Sequence, residues 1–289
     1  MEAGSYPTSI AELAAWQRQR GTTTEEARRR LVQFVILVSM SSSAALRSRV
    51  ALKGGNALQL LHGNQRSTLD LDFSAEGGFP DNLDEIKRLM DAALKTAKQR
   101  YQVKARCQSI RRKPPGHDKT MPTYSIKVCF QFPSDKHYQN FEERKSFPEV
   151  VEIEISLNDV LCETDECELH PSATPVRVCT LDDIIAEKLR ALLQQVPRNR
   201  SRPQDVFDIA SMARRHGDTI DLGKVSAFLL RKSEAREIVA TKSAFDESVR
   251  QRAAVTYEDE IRPFTTEFIP FDEAWEEVLR LVARLSIPD

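Results

Sequence analysis

Leu69-Asp70-Leu71-Asp72-Phe73 alternates strictly between apolar and acidic side chains. A period of two is strand spacing, so the three apolar residues are expected on one face and both aspartates on the other. Carboxylates at i and i+2 of a strand stand about 6 to 7 Å apart and point the same way. Such a pair can grip one or two divalent cations through hard oxygen ligands. Upstream, Gly54-Gly55-Asn56 ends fourteen residues before Asp70. A glycine pair lets backbone N–H groups approach phosphate oxygens, and a helix starting there adds its positive end. Taken alone, the D-x-D pair is an ordinary polar strand edge. Joined to the diglycine turn, it describes a seat for a triphosphate and its metal.

The surrounding pattern is mixed. Residues 8–20 and 24–46 read as helices, the second with Ala27, Leu31, Phe34, Val35 and Val38 at helical spacing. Val50-Ala51-Leu52 is a short apolar piece before the glycines, and Ala57 to Leu61 suggest a short helix ending near Gly63. Residues 82–98 read as helix, followed by strands at about 101–110, Tyr124–Phe132 and Val150–Ser156, with a basic Pro/Gly loop from Arg111 to Gly116. From about residue 180 the character is helical, with Leu181, Ile185, Leu189 and Leu192 forming a stripe. Ser201-Arg202-Pro203-Gln204 has the form of a capping box opening a helix that stops at Gly217. Segments 243–255 and 271–285 also read as helix. The expected organisation is an α/β half over residues 1–179 and a helical half over 180–289.

Further chemistry-bearing residues lie downstream. Val151-Glu152-Ile153-Glu154-Ile155 is a second alternating strand. Two-metal phosphoryl transfer often needs a third carboxylate, and Glu154 is the first choice for it, with Glu152 close behind. Lys188 stands at the border of the apolar stripe, where its amine can meet a phosphate as a point charge or simply snorkel to solvent. Asp205 and Asp208, three residues apart, share a helix face; Asp is favoured in a first turn by the macrodipole alone, and a functional Asp205 could accept from Lys188 or orient the ribose and the incoming group. Arginines and lysines cluster at 111–113, at Arg198, Arg200 and Arg202, and at Arg214-Arg215, where they can hold an RNA backbone.

Composition excludes several classes. With 42 basic against 43 acidic residues the chain is no polybasic binder, so a nucleic-acid partner needs a local patch. No apolar run approaches the ~18 residues of a membrane span. The N-terminus carries no secretory pattern, and the expected location is cytoplasmic. Five cysteines without a C-x-x-C pair suggest reduced thiols rather than a zinc site or disulfide framework. Walker-type and Rossmann glycine motifs are absent.

Four stretches together resemble the AbiEii-type nucleotidyltransferase toxins, which include the MenT toxins and belong to the DNA polymerase β-like superfamily. They are Leu52-Lys53-Gly54-Gly55-Asn56-Ala57-Leu58, Arg66-Ser67-Thr68-Leu69-Asp70-Leu71-Asp72-Phe73, Glu187-Lys188-Leu189, and Arg202-Pro203-Gln204-Asp205-Val206-Phe207-Asp208. The resemblance implies an α+β fold: a polymerase β-like mixed sheet with flanking helices, then a helical C-terminal domain, the active site lying in the cleft between them. It implies transfer of a nucleotide from an NTP, with Mg²⁺, onto an acceptor such as the 3′ end of tRNA, and a cognate antitoxin as partner. Asp70 and Asp72 match the metal pair and Thr68 a small hydroxyl position before it. Lys188 matches the lysine of the second motif and Asp205 the aspartate of the third. Gly54, Gly55, Asn56, Arg66, Thr68 and Lys188 are the expected nucleotide-binding set, and Asp70, Asp72, Lys188 and Asp205 the catalytic one. Asp70, Asp72 and Glu154 are the expected metal ligands. Asn56 stands where family members commonly have Ser or Thr, which bears on nucleotide preference. Two other readings fit the same motifs: a small-molecule nucleotidyltransferase of the antibiotic-modifying kind, and a non-catalytic nucleotide-binding module.

Overall fold

The computed structural model describes residues 6–64, 66, 68–115, 122–172 and 174–289; Ser67 and Gly116 of the stretches above lie outside them. Seven strands form one sheet: β1 Val50–Lys53, β2 Leu71–Ala75, β3 Lys104–Lys113, β4 Thr123–Gln131, β5 Val150–Ser156, β6 Thr164–Cys167 and β7 Val176–Cys179. The helices are α1 Leu13–Arg20, α2 Thr24–Ser42, α3 Ala44–Arg47, α4 Gly54–His62, α5 Leu83–Tyr101, α6 Leu181–Leu193, α7 Pro203–His216, α8 Leu222–Glu234, α9 Glu247–Ala254, α10 Tyr257–Ile261 and α11 Phe271–Arg284. The chain divides into two units. One comprises residues 1–53, 69–159 and 165–178, the other 54–68, 160–164 and 179–289.

The first unit holds the sheet, in the order β3-β4-β5-β2-β1-β7-β6. β2 runs parallel to β5 and antiparallel to β1, and β1 runs parallel to β7, so the sheet is mixed. Residues opposite one another in neighbouring strands share a face. Leu52, Phe73, Ile155 and Tyr124 therefore point together, as do Leu71, Ile153 and Ile126, and all seven are buried. Helices α2 and α5 pack on this unit's strands and on each other. α2 is buried almost all round, from Leu31 to Ser41, as expected of a helix with neighbours on several sides. Thr23 caps it by accepting from Glu26 N–H, and Asn82 caps α5 from Asp84 and Glu85.

The opposite face of the sheet is polar. Lys53 lies opposite Asp72, Asp72 opposite Glu154, Glu154 opposite Ser125, and Ser74 opposite Ser156. One expectation needs correcting at its edge. β2 begins at Leu71, and Leu69 is 42% exposed instead of joining Leu71 and Phe73 in the core. Leu69 lies before the ladder starts, so strand parity does not govern it; its carbonyl accepts from the Gln33 amide at 2.8 Å.

The second unit is helical apart from its short connecting segments. Thr180 caps α6, and the buried stripe Leu181, Ile185, Leu189 and Leu192 faces its core. α7 packs against α6, α10 and α11, with Trp275, Tyr257 and Phe207 among the large buried side chains. The capping box expected at Ser201–Gln204 does not form. Arg202 is the N-cap without a side-chain bond, and Pro203 opens the helix at its first position. Ser201 instead donates to the carbonyls of Arg252 and Val255, and Gln204 donates to Glu260. β6 and β7, each only four residues long, carry too little alternation to have been read as strands. No helix among the described residues is long and apolar enough to cross a membrane.

Candidate active site

The polar sheet face of the first unit gathers the acidic residues. Asp72 sits on β2 directly beside Glu154 of β5, and Glu152 lies two residues before Glu154 on the same face. Asp70 immediately precedes β2. Partial burial, then the charges of Glu152 and Glu154, push its carboxyl above the ordinary carboxylate range, and Arg29 and Lys113 only partly oppose this. Glu152 is held low, first by the Ser125 hydroxyl at 2.6 Å and then by the charge of Lys113. Lys113, at the end of β3, reaches Glu154 Oε1 at 3.0 Å and Glu152 Oε1 at 3.4 Å. One strand over, Lys53 pairs with Asp159, which also accepts from Ser74 at 3.0 Å; Lys53 bonds Ser156 at 3.0 Å.

The donor set is hard oxygen throughout, and one member, Asp70, resists ionisation through partial burial and then the charges of Glu152 and Glu154. That is the condition a divalent cation relieves, so the residues fit one. As the side chains stand, no three His, Cys, Asp or Glu among the described residues already enclose an ion.

The diglycine turn belongs to the second unit and opens α4 where β1 ends. Gly54 has a φ of +70°, the left-handed region in which glycine carries no Cβ penalty. Gly55 is required for a different reason. A Cβ there would collide with Thr68 Oγ1 and lie 2.9 Å from Arg66 Nη2, so only a bare Cα lets those side chains lie over the turn. Asn56 is fully buried and its amide points at the Thr68 carbonyl, 3.5 Å away.

Arg66 is anchored from behind. Its Nε and Nη2 form a two-pronged bond to Asp208 at 2.9 and 2.7 Å. Asn64 donates to the same carboxylate at 2.8 Å. Lys188, on α6, has its ammonium 2.7 Å from Asp205 and 2.8 Å from Asp208, both on α7, with only 8% of its side chain exposed. Two cations and two anions thus form one buried chain, Arg66–Asp208–Lys188–Asp205. Burial alone would raise the carboxyl of Asp208, but Arg66 and Lys188 hold it far below the ordinary range. Burial likewise works against the charge of Lys188, and Asp205 and Asp208 overcome it and raise its pKa.

Within the first unit the register sets Asp72 beside Glu154, and Asp70, one residue before β2, lies within the field of Glu152 and Glu154. Within the second the fold brings Gly55, Asn56, Arg66 and Thr68 together, and Lys188 with Asp205.

The family model for the nucleotidyl transferase AbiEii toxin of type IV toxin–antitoxin systems matches residues 35–280. The chain belongs to the AbiEii nucleotidyltransferase toxin family. Solved structures share its fold, among them MenT4 and JHP933. MenT4, a nucleotidyltransferase toxin from Mycobacterium tuberculosis, is 19% identical with a TM-score of 0.54, and the alignment covers 94% of this chain and 98% of that one. JHP933 from Helicobacter pylori is 16% identical with a TM-score of 0.50, over 87% of this chain and 88% of that one. No curated protein matches the sequence. The AbiEii toxin described here is therefore a nucleotidyltransferase on an α+β fold, and its family implies an NTP substrate and an antitoxin partner.

Sequence reasoning passed over several contributors to these clusters: Lys53, Asn64, Ser125, Asp159, the pairing of Lys113 with Glu152 and Glu154, and the anchoring role of Asp208. Lys53 stood inside a quoted motif, but only the register opposite Asp72 puts it on the acidic face. Asp159 belongs to no pattern; the turn after β5 brings it to Lys53. Of the basic clusters, Arg214 pairs with Glu273 and Glu277, and Arg215 with Glu267. Arg198, Arg200 and Arg202 are exposed, and the pKa of Arg198 is lowered by partial burial and then by Arg236, Arg190, Arg200 and Arg202.

Proposed function

We propose that this AbiEii toxin transfers the nucleotide of an NTP, with Mg²⁺, onto RNA, the 3′ end of tRNA being the acceptor, in the cytoplasm. The observation that carries the reading is the strand register: Asp72 lies opposite Glu154, with Asp70 one step before β2 and within the field of both glutamates. Asp70 and Asp72 would hold the cation, and Glu154 would serve as the third carboxylate. When bound, Mg²⁺ would neutralise the triphosphate and acidify an acceptor hydroxyl. Gly54 and Gly55 present backbone N–H groups to phosphate, and Arg66, fixed by Asp208, keeps further N–H groups over the same turn. Thr68 and Asn56 complete that turn. The acceptor hydroxyl attacks the α-phosphate in line and pyrophosphate leaves. Lys188, pinned by Asp205 and Asp208, holds the buried ion-pair chain whose outer member, Arg66, would offset phosphate charge.

The exposed arginines Arg198, Arg200 and Arg202 supply the local basic patch that an RNA partner needs in a chain of net charge -1. Incubation with each α-labelled NTP, offered total RNA in one arm and an aminoglycoside in the other, tests the acceptor. Label on RNA, concentrated in the tRNA fraction, is the expected outcome. Label on the aminoglycoside alone would move the enzyme to the small-molecule class.

A further inference from the structure

Lys113 is the last residue of β3, and its place opposite Thr123 puts it on the polar face of the sheet. Its ammonium lies 3.0 Å from Glu154 Oε1 and 3.4 Å from Glu152 Oε1, and its field reaches Asp70. The two glutamates are not held alike. Glu152 also accepts from the Ser125 hydroxyl at 2.6 Å, whereas Lys113 is the one side-chain partner of Glu154 among the described residues. The Lys113 side chain is 52% exposed, so charge rather than packing keeps the amine there. An ammonium on a flexible stem neutralises without fixing geometry, and a more highly charged cation displaces it.

We propose that Lys113 is the resident counter-ion of the acidic row, and that a divalent cation gains Glu154 only as Lys113 lets it go, so that Lys113 sets the cation affinity of the site. This rests on the reading that Asp72 holds the cation. It also separates the two candidate third carboxylates. Glu154 changes partner on loading, while Glu152 stays with Ser125.

The test is Mn²⁺ binding to the full chain without nucleotide, by calorimetry or by the electron paramagnetic resonance signal of free Mn²⁺. Lys113→Met is expected to bind Mn²⁺ more tightly by on the order of tenfold, since a competing unit charge a few ångströms from the ion has been removed. Lys113→Arg should bind no more tightly than wild type. The gain should vanish in Lys113→Met/Glu154→Gln, which separates displacement at Glu154 from a general change in surface charge. Unchanged or weaker binding by Lys113→Met overturns the proposal, as does a gain that survives Glu154→Gln. Asp72→Asn distinguishes the two levels. If it abolishes Mn²⁺ binding while Lys113→Met changes nothing, the counter-ion role alone falls. If Asp72→Asn binds as well as wild type, or if wild type and Lys113→Met both bind no Mn²⁺, the metal reading falls with it.

Discussion

At the residue scale, Asp70 and Asp208 are opposite cases of a carboxylate in a folded protein. Asp70 is partly buried, with other acids nearby, and resists ionisation. Its charge therefore works against the fold, as expected of a group placed for a ligand. Asp70→Asn should abolish nucleotidyl transfer while leaving the melting temperature equal to or above that of wild type, a pairing that thermal unfolding beside an activity assay would show. Asp208 has no exposed surface and satisfies Arg66, Lys188 and Asn64 at once. Asp208→Asn would take the buried carboxylate from Arg66 and leave Lys188 to Asp205, at a cost of roughly 3–5 kcal/mol in denaturant unfolding. The pH dependence follows from the direction of its shift. A carboxyl held below its unfolded value contributes stability that is fully present above about pH 4 and fades as the pH falls towards the lower folded value. The stability gap between wild type and Asp208→Asn should be flat above about pH 5 and narrow on acidification; a gap that widens in acid would contradict the ion-pair account.

At the element scale, the diglycine turn ties helix geometry to side-chain chemistry. Gly55 lacks a Cβ where Thr68 and Arg66 occupy the space. Gly55→Ala should weaken NTP binding and cost about 1–3 kcal/mol of stability through overpacking. Because Thr68 Oγ1 is the nearest obstacle, Thr68→Ala should recover part of that loss in the double variant. Strict additivity in the four-variant cycle would show that the two residues do not meet. The same scale explains what was legible in the sequence. The long amphipathic helices, and the strand from Val150 to Ser156, announce themselves by period. β6 and β7 do not, because four residues hold barely two alternations and their pairing is set by distant strands. The failed capping box is instructive in the same way. A local motif at Ser201 lost to tertiary partners at Arg252 and Val255, neither of which a window of four residues contains.

At the scale of the whole molecule, an α+β chain of nearly balanced charge sets Asp72, Glu152 and Glu154 on one sheet face in one unit and a buried cation–anion chain in the other. The motif residues Asp70, Asp72, Lys188 and Asp205 could be singled out in the sequence because each lies in a short stretch with family character. Their supporting partners could not, since Lys53, Lys113, Ser125 and Asp159 acquire meaning only through strand register and the turn after β5. The account stands or falls on what leaves the triphosphate. The most direct measurement supplies one NTP labelled at the α-phosphate and, separately, at the γ-phosphate, to wild type and to Asp72→Asn, with RNA present. The account predicts α-label on the RNA, γ-label released as pyrophosphate, and neither product from Asp72→Asn. Transfer of γ-label to the acceptor, or undiminished α-transfer by Asp72→Asn, would contradict it.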